Sequence, residues 1–526
     1  MYFLLLLIRV PFRFHEVGTE KVFLQRVDHF NSRSTSTFEQ RYYVNLNYTV
    51  KNQSTNTILV YIGGEATLES RSVEGGSVIE LANRTKAVIL GLEHRFFGQS
   101  QPFNTLTSDN LKFLTIEQAL ADLAYFIDEM QAVYCSPSSL CSVAVVGGSY
   151  PGSLSSWFRL LYPHMAIASW ASSAPILIKA NYSEYDDHMA TQIAKVSQKC
   201  LQSTQQIYNE INEIVGHNAS QTQELKGMIG IKPTDNVTDL SFLYMIADIF
   251  ADTVQYSRSY PLLLSYCDEI TQAATYNQRL SVLMNTLNII INKSGDPITN
   301  YDPYFAKDIS AHGEATNTRS WTWMTCNQVG WFQTSSGRLR SPRVNIDYFR
   351  TLCQDLFHSD SPADSTINMR FGGKDPRSTN VFFLNGDVDP WSRLSIQYPE
   401  ASLDRNVAVI KNGQHCSDLH SKTESDSESL LESREFVIST MEKWIKFSKS
   451  NPCGAHGYLV LNSCKCDDRH TGTYCDQEVH TQSSFQIVTI LSVIVPTILL
   501  LIIGGSVWIC GKREDSDFGS RPALYT

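Results

Sequence analysis

Acyl transfer by a serine needs an exposed hydroxyl, a base to take its proton and a carboxylate to orient that base. The stretch Val145-Val146-Gly147-Gly148-Ser149-Tyr150-Pro151-Gly152 supplies the first. An apolar β-branched run leads into Gly-x-Ser, and Leu154, Trp157, Phe158 and Leu161 follow at helical spacing. A serine on such a tight strand-to-helix turn stands clear of the sheet, and glycines flank it because the strained backbone leaves no room for side chains. The Tyr150 N–H and the helix N-terminus then face negative charge developing on a substrate oxygen. Pro151 stands where the usual G-x-S-x-G pattern has glycine, with Gly152 one place later. Proline fits the first turn of a helix, although it disfavours helical geometry at Tyr150 before it.

On this kind of sheet the acid and then the base follow the serine, each after a strand. The run Val381-Phe382-Phe383-Leu384 is followed by Asn385-Gly386-Asp387-Val388-Asp389-Pro390-Trp391. The run Val407-Ala408-Val409-Ile410 is followed by Lys411-Asn412-Gly413-Gln414-His415. His415, in the loop directly after its strand, is placed better than His420, which reads as part of the next helix. Periodicity does not separate Asp387 from Asp389, and both also suit a plain turn. A second oxyanion donor is expected from the loop after an early strand, Tyr61-Ile62-Gly63-Gly64-Glu65, at Gly64 or Glu65. A simple tight turn has the same appearance.

These loops need a parallel sheet beneath them. Ile58–Ile62, Ala87–Leu90, Val143–Val146 and Ala168–Ala171 read as buried strands, and Thr115–Met130 as an amphipathic helix capped by Thr115, with Gln118 three residues on. Strand–helix alternation predicts an α/β fold with helices on a parallel sheet. Residues 181–372 are polar and helix-like, so the sheet is expected in two parts, 20–180 and 373–450, around a helical insertion. A final helix carries Phe436, Val437, Met441, Trp444 and Ile445 on one face.

The chain has 526 residues and a net charge of −10, which argues against nucleic acid as a partner. It carries no Walker loop, no GxGxxG after a strand and no HExxH, so no cofactor or metal is expected. Ile487–Ile509 is uncharged and long enough to span a bilayer, within a predicted transmembrane segment 485–510. Lys512 and Arg513 follow it, which puts 511–526 in the cytosol and the rest outside: type I topology. Residues 1–19 read as an atypical or incomplete signal segment. Between 451 and 477, Cys453, Cys464, Cys466 and Cys475 have the C-x-C-x5-G-x2-C spacing of the C-terminal half of an EGF-like module, rather than the paired C-x2-C of a zinc site. Sequons at Asn47, Asn52, Asn83, Asn181, Asn218, Asn236 and Asn292 also suit a luminal or extracellular chain.

From about Phe23 to Phe447 the chain resembles the prolylcarboxypeptidase family, which includes dipeptidyl peptidase II and the thymus-specific serine peptidase. The matching pieces are Gln25–Phe30, Thr37–Tyr42, Gly63-Gly64-Glu65, Leu92–Gly98, Glu117–Asp122, Gly147–Tyr150, Thr325-Cys326 with Gln333-Thr334, and Asn385-Gly386 with Asp389-Pro390-Trp391. The Gly63-Gly64-Glu65 form is closest to the thymus-specific branch. The resemblance implies an α/β-hydrolase fold with a helical cap, a Ser149–Asp389–His415 triad, and exopeptidase activity on peptides, in several members at bonds following proline. It also implies disulfides Cys326–Cys353 and Cys200–Cys267; Cys135 and Cys141 suit a local loop. Cys416 is left unpaired, as a buried small apolar residue. The rival functions are an esterase or lipase on the same fold and a non-catalytic cell-surface binding protein. A full triad argues against the last.

Overall fold

A strand covered on both faces must be apolar throughout, not alternately. The central runs of this chain meet that condition. In a computed structural model, the residues described are 16–50, 55–135, 141–256, 260–295, 297–359, 364–449 and four short strands beyond 456. Within residues 1–450 the strands in chain order are β1 (Thr19–Arg26), β2 (Thr37–Asn45), β3 (Thr57–Ile62), β4 (Val88–Leu92), β5 (Ser142–Gly148), β6 (Ala168–Ser172), β7 (Lys179–Asn181), β8 (Gly330–Phe332), β9 (Val381–Gly386) and β10 (Asn406–Ile410). Eight of them form one sheet in the order β1-β2-β4-β3-β5-β6-β9-β10. From β4 to β10 every pairing is parallel, and only β2, antiparallel to both β4 and β1, runs the other way.

The pleat splits the buried side chains between two cores. Ile58, Val60, Val143 and Val145 join one, with Leu154, Trp157 and Phe158 from the helix Tyr150–Leu161. Leu59, Ala144, Val146, Phe382 and Leu384 join the other, with Val437, Met441, Trp444 and Ile445 from the helix Glu428–Lys449. Two residues expected on buried helical faces are exposed: Leu161 at the end of its helix, and Phe436, which sets its ring edge-on to Phe382 at 4.9 Å. Thr115 caps the helix Ile116–Tyr134 by accepting the Gln118 N–H. The Gln118 amide does not return to the cap. It donates to Asp28 and accepts the His29 N–H, tying the helix to the N-terminal segment.

The segment between β6 and β9 is mostly helical, and β7 and β8 pair within it as a two-residue-wide parallel ladder. Chain that leaves after β6 returns through β9, which lies beside β6 with Trp170 opposite Phe382. The late strands therefore extend the first sheet and do not build a second one. Three disulfides close the loops 135–141, 200–267 and 326–353. Asn47, Asn83, Asn181, Asn218, Asn236 and Asn292 are exposed, while Asn52 lies outside the described residues.

Within 451–526, Gly457–Val460 pairs antiparallel with Ser463–Cys466, and His470–Thr471 with Gln477–Glu478. Cys453, Cys475, the predicted span 485–510, the tail and residues 1–15 lie outside the described residues. Among the described residues, no helix is long and apolar enough to cross a membrane.

A buried ion pair holds the antiparallel edge to the sheet. Arg95 bonds Asp122 through Nε (2.6 Å) and Nη2 (2.5 Å), and His29 Nε2 lies 2.8 Å from the same carboxylate. The other guanidinium hydrogens reach the carbonyls of Arg26, Val27 and Phe113. Truncating one partner strands the other charge in the interior. Arg95→Ala should therefore lower stability by roughly 3–5 kcal/mol, whereas Arg84→Ala, at a partly exposed pair with Glu80 and Glu435, should lower it by less than about 1 kcal/mol. Denaturant midpoints of the two variants provide the comparison.

Candidate active site

Ser149 sits between β5 and the helix Tyr150–Leu161 with φ 64° and ψ −132°, a conformation that costs a residue with a Cβ free energy unless its surroundings enforce it. Its N–H donates to the Ser172 carbonyl at 2.9 Å, and its own carbonyl accepts the Ser153 N–H. The glycines are needed for space. A Cβ on Gly147 would lie 2.2 Å from the Pro151 carbonyl oxygen, and one on Gly152 would lie 2.7 Å from the Ser172 oxygen. Pro151 has a partner as well: its ring packs on Gly64, where a Cβ would come within 2.4 Å of the proline Cγ. The departure from G-x-S-x-G is thus absorbed by glycine on the neighbouring loop.

The acid and base loops meet as strand order requires. His415 Nδ1 lies 2.9 Å from Asp389 Oδ2, and both residues are buried. A carboxylate only accepts, so Nδ1 carries the hydrogen and Nε2 presents a lone pair when the ring is neutral. The other Asp389 oxygen accepts the Trp391 N–H at 2.9 Å. Burial by itself disfavours the imidazolium, but the Asp389 charge and hydrogen bond, together with Cys416, hold the His415 pKa well above its ordinary value. Asp387 turns elsewhere: its N–H donates to Ile410 and its carbonyl accepts from Gln192. His420 is not on a helix. It follows a short turn, Ser417–Leu419, and is exposed.

Ser149, Tyr150, Glu65, His415, Cys416 and His420 all line one cavity of about 550 Å³. Cys416 is therefore only half-buried, not the enclosed apolar residue expected, and its sulfur is free. Its N–H donates to Ser173 Oγ at 2.9 Å.

Several positioning residues have roles that no sequence pattern assigns. His94 is buried, with Nδ1 2.8 Å from the Arg95 carbonyl and Nε2 3.1 Å from the Tyr150 hydroxyl. Burial depresses its pKa to about 4, so it is neutral, gives its one hydrogen to the carbonyl and accepts from Tyr150. Gln255 ends a helix of the insertion, Asp239–Gln255; its carbonyl accepts the His415 N–H and its side-chain oxygen the Trp391 indole N–H. Asp418 accepts from Trp170 Nε1 at 2.8 Å and Ser172 Oγ at 2.6 Å. Burial raises its pKa to about 6 against those two bonds, which leaves it ionised at neutral pH. The short turn after His415 was the signal available for Asp418, whereas Gln255 had none beyond the end of an apolar helix.

A mostly parallel eight-stranded sheet in this order, with a serine on a positive-φ turn after its β5 strand, is the α/β-hydrolase fold. Residues 25–437 match the serine carboxypeptidase S28 family, and the chain belongs to that family of serine-type peptidases. It is 28% identical to the thymus-specific serine protease of Mus musculus, over 81% of this chain and 87% of the relative. It is 29% identical to the lysosomal Pro-X carboxypeptidase of Homo sapiens, over 81% of this chain and 88% of the relative. Proline iminopeptidase of Mycobacterium smegmatis aligns with a TM-score of 0.34 at 12% identity, over 81% of this chain and 98% of that one.

Asp418→Ala deprives two buried donors, the Trp170 indole and the Ser172 hydroxyl, of their acceptor. It should cost roughly 2–5 kcal/mol in a denaturant titration. An unchanged midpoint would mean that water replaces the carboxylate.

Proposed function

We propose that the chain is a membrane-anchored exopeptidase in which Ser149 is the nucleophile, His415 the base and Asp389 the orienting acid. The observation that carries this reading is the 2.9 Å His415–Asp389 bond at the wall of a cavity that Ser149 also lines, each residue following a parallel strand of the one sheet, β5, β9 or β10. Ser149 Oγ attacks the scissile carbonyl while its proton passes to His415 Nε2. The carbonyl oxygen takes up negative charge facing the Tyr150 N–H and an N–H of Gly64 or Glu65. As the C–N bond breaks, the proton moves from His415 to the leaving amine, giving an acyl-enzyme and a shortened peptide. Water, activated by the same imidazole, then releases the acyl group and restores the serine. Asp389 stays ionised throughout and stabilises the imidazolium.

Cleavage at bonds following proline is supported by the likeness to lysosomal Pro-X carboxypeptidase, whose name states that preference. Placement in the lumen or outside the cell is supported by three disulfides and by exposed sequon asparagines. The anchor at 485–510 rests on its apolar length, and an EGF-like spacer rests on cysteine spacing together with the antiparallel pairing of Gly457–Val460 with Ser463–Cys466.

Ser149→Ala should abolish peptide hydrolysis and fluorophosphonate labelling with stability changed by less than about 1 kcal/mol; labelling that persists would place the nucleophile elsewhere. His415→Ala and Asp389→Asn should each reduce kcat by roughly a thousandfold or more, with His420→Ala and Asp387→Asn far milder. The opposite ranking would reassign both roles.

The base must be neutral to act. Activity should therefore fall as pH drops through the raised His415 pKa, with the acid limb centred above about 6.5, the ordinary histidine value. Asp389→Asn should move that limb to lower pH. A limb below the ordinary value in the parent enzyme would contradict the ion pair. Removing residues from Phe485 onward should release soluble, active enzyme, because every strand of the sheet precedes that point; folded but inactive product would overturn this.

A further inference from the structure

We propose that Glu65 holds the amino terminus of the peptide, so that the enzyme cuts from the amino end. This deepens the exopeptidase reading and rests on it. Glu65 follows Gly64 on the β3 loop and lines the cavity that Ser149 and His415 also line. An exopeptidase must recognise a terminal charge, an ammonium at one end or a carboxylate at the other. Among the described residues lining this cavity there is no lysine or arginine to receive a carboxylate.

The cavity's charges are matched except for one. His415 is paired with Asp389, and Asp248 with the buried Arg340 at 3.2 Å. His420, the other titratable nitrogen at the wall, is exposed to solvent at the rim. Glu65 makes no ion pair with lysine or arginine among the described residues. Burial raises its pKa, and the charge it feels comes from His415. A half-buried carboxylate of this kind, on the wall of a cavity, is completed by a cation from the substrate. The remaining wall favours the same guest: Tyr256, Trp321, Trp331 and Trp391 line the cavity, and aromatic rings attract ammonium groups. A free carboxylate entering there would meet Glu65 with nothing to offset the repulsion. Because Glu65 adjoins the loop N–H groups that face the scissile carbonyl, the ammonium sits one or two residues from the bond cut. Release of one amino acid or of a dipeptide follows. A lysine side chain near the bond offers the same chemistry from a second source.

The test compares kcat/KM on one short peptide made in four forms: free, N-acetylated, C-amidated, and with lysine replacing norleucine next to the scissile bond. Acetylation should lower kcat/KM roughly ten- to a hundredfold, the range of a charge-assisted hydrogen bond, and mainly through KM. Amidation should change it little. Glu65→Gln should shrink the acetylation penalty, and Glu65→Asp should restore part of it. Sensitivity to amidation instead of acetylation overturns the proposal, as does a preference for lysine that ignores acetylation. An acetylation penalty that survives in Glu65→Gln removes Glu65 from the role. If neither variant folds, the four peptides on the parent enzyme still decide which end is read. Fluorophosphonate labelling of the parent separates the two levels: a labelled enzyme indifferent to acetylation loses only this inference, whereas an unlabelled one loses the triad reading and this with it.

Discussion

Everything at the site depends on one constraint, the positive φ of Ser149, and on the end of β6 that enforces it. The Ser172 carbonyl accepts the Ser149 N–H, while the Ser172 hydroxyl donates to Asp418 on the segment after His415. Its neighbour Ser173 donates its N–H to Leu384 in β9 at 2.7 Å and accepts the Cys416 N–H at its hydroxyl. Two adjacent serines thus bind the elbow, the strand leading to Asp389 and the loop carrying His415. Strain at a single residue persists only where the surroundings over-determine it. Here three separate segments of chain do so.

The insertion adds to this in a way that a detachable lid would not. Through Gln255 it holds the backbone of His415 and the indole of Trp391, and Tyr185 and Tyr182 from its first helix and approach bond Gln255 and the Pro390 carbonyl. The geometry of base and acid is therefore partly set by residues between β6 and β9. Tyr256, next to Gln255, presents its ring to His415 at 6.0 Å in a T-shaped contact and completes the cavity wall. Specificity and catalysis are coupled through the same short piece of chain.

Much of this was legible because strands buried on both faces leave a plain signal. The runs at 58–62, 143–146 and 381–384 are apolar without alternation and each lies within a strand of the sheet, as does 407–410 in the edge strand β10, where Val409 is exposed. The antiparallel pair β1 and β2 was hidden: exposed, charged residues such as Glu20, Arg26 and Glu39 interrupt it, as befits an edge. At the site, the loops after the strands could be found from their glycines. Choosing within them could not be done from periodicity, because Asp387 and Asp389 differ in the direction of a turn and not in pattern. His420 was misplaced on a helix for the same reason, since three residues of turn and a helix start look alike over so short a stretch. Among residues acting through contacts distant in sequence, Gln255 on His415 has no local signature at all, and His94 lies in the Leu92–Gly98 motif with nothing there that points to Tyr150.

Pro151 shows how a departure from a pattern becomes a constraint elsewhere. A glycine after Ser-x would leave the loop following β3 free to carry a side chain at its tip. With proline there, the ring occupies that volume and only Gly64 fits against it. The helix carrying the Tyr150 N–H and the loop carrying Gly64 and Glu65 are then in direct contact, so neither can move without the other. Tyr150 is fixed from the opposite side by its hydroxyl on His94, itself locked to the Arg95 carbonyl in the segment that anchors β1 and β2. Arg95 and Asp122, far from any reacting atom, thereby help to set where a substrate oxygen is met. Preorganised donors are effective because nothing needs to rearrange when charge develops, and the packing of one proline ring on one glycine is part of what keeps them in place.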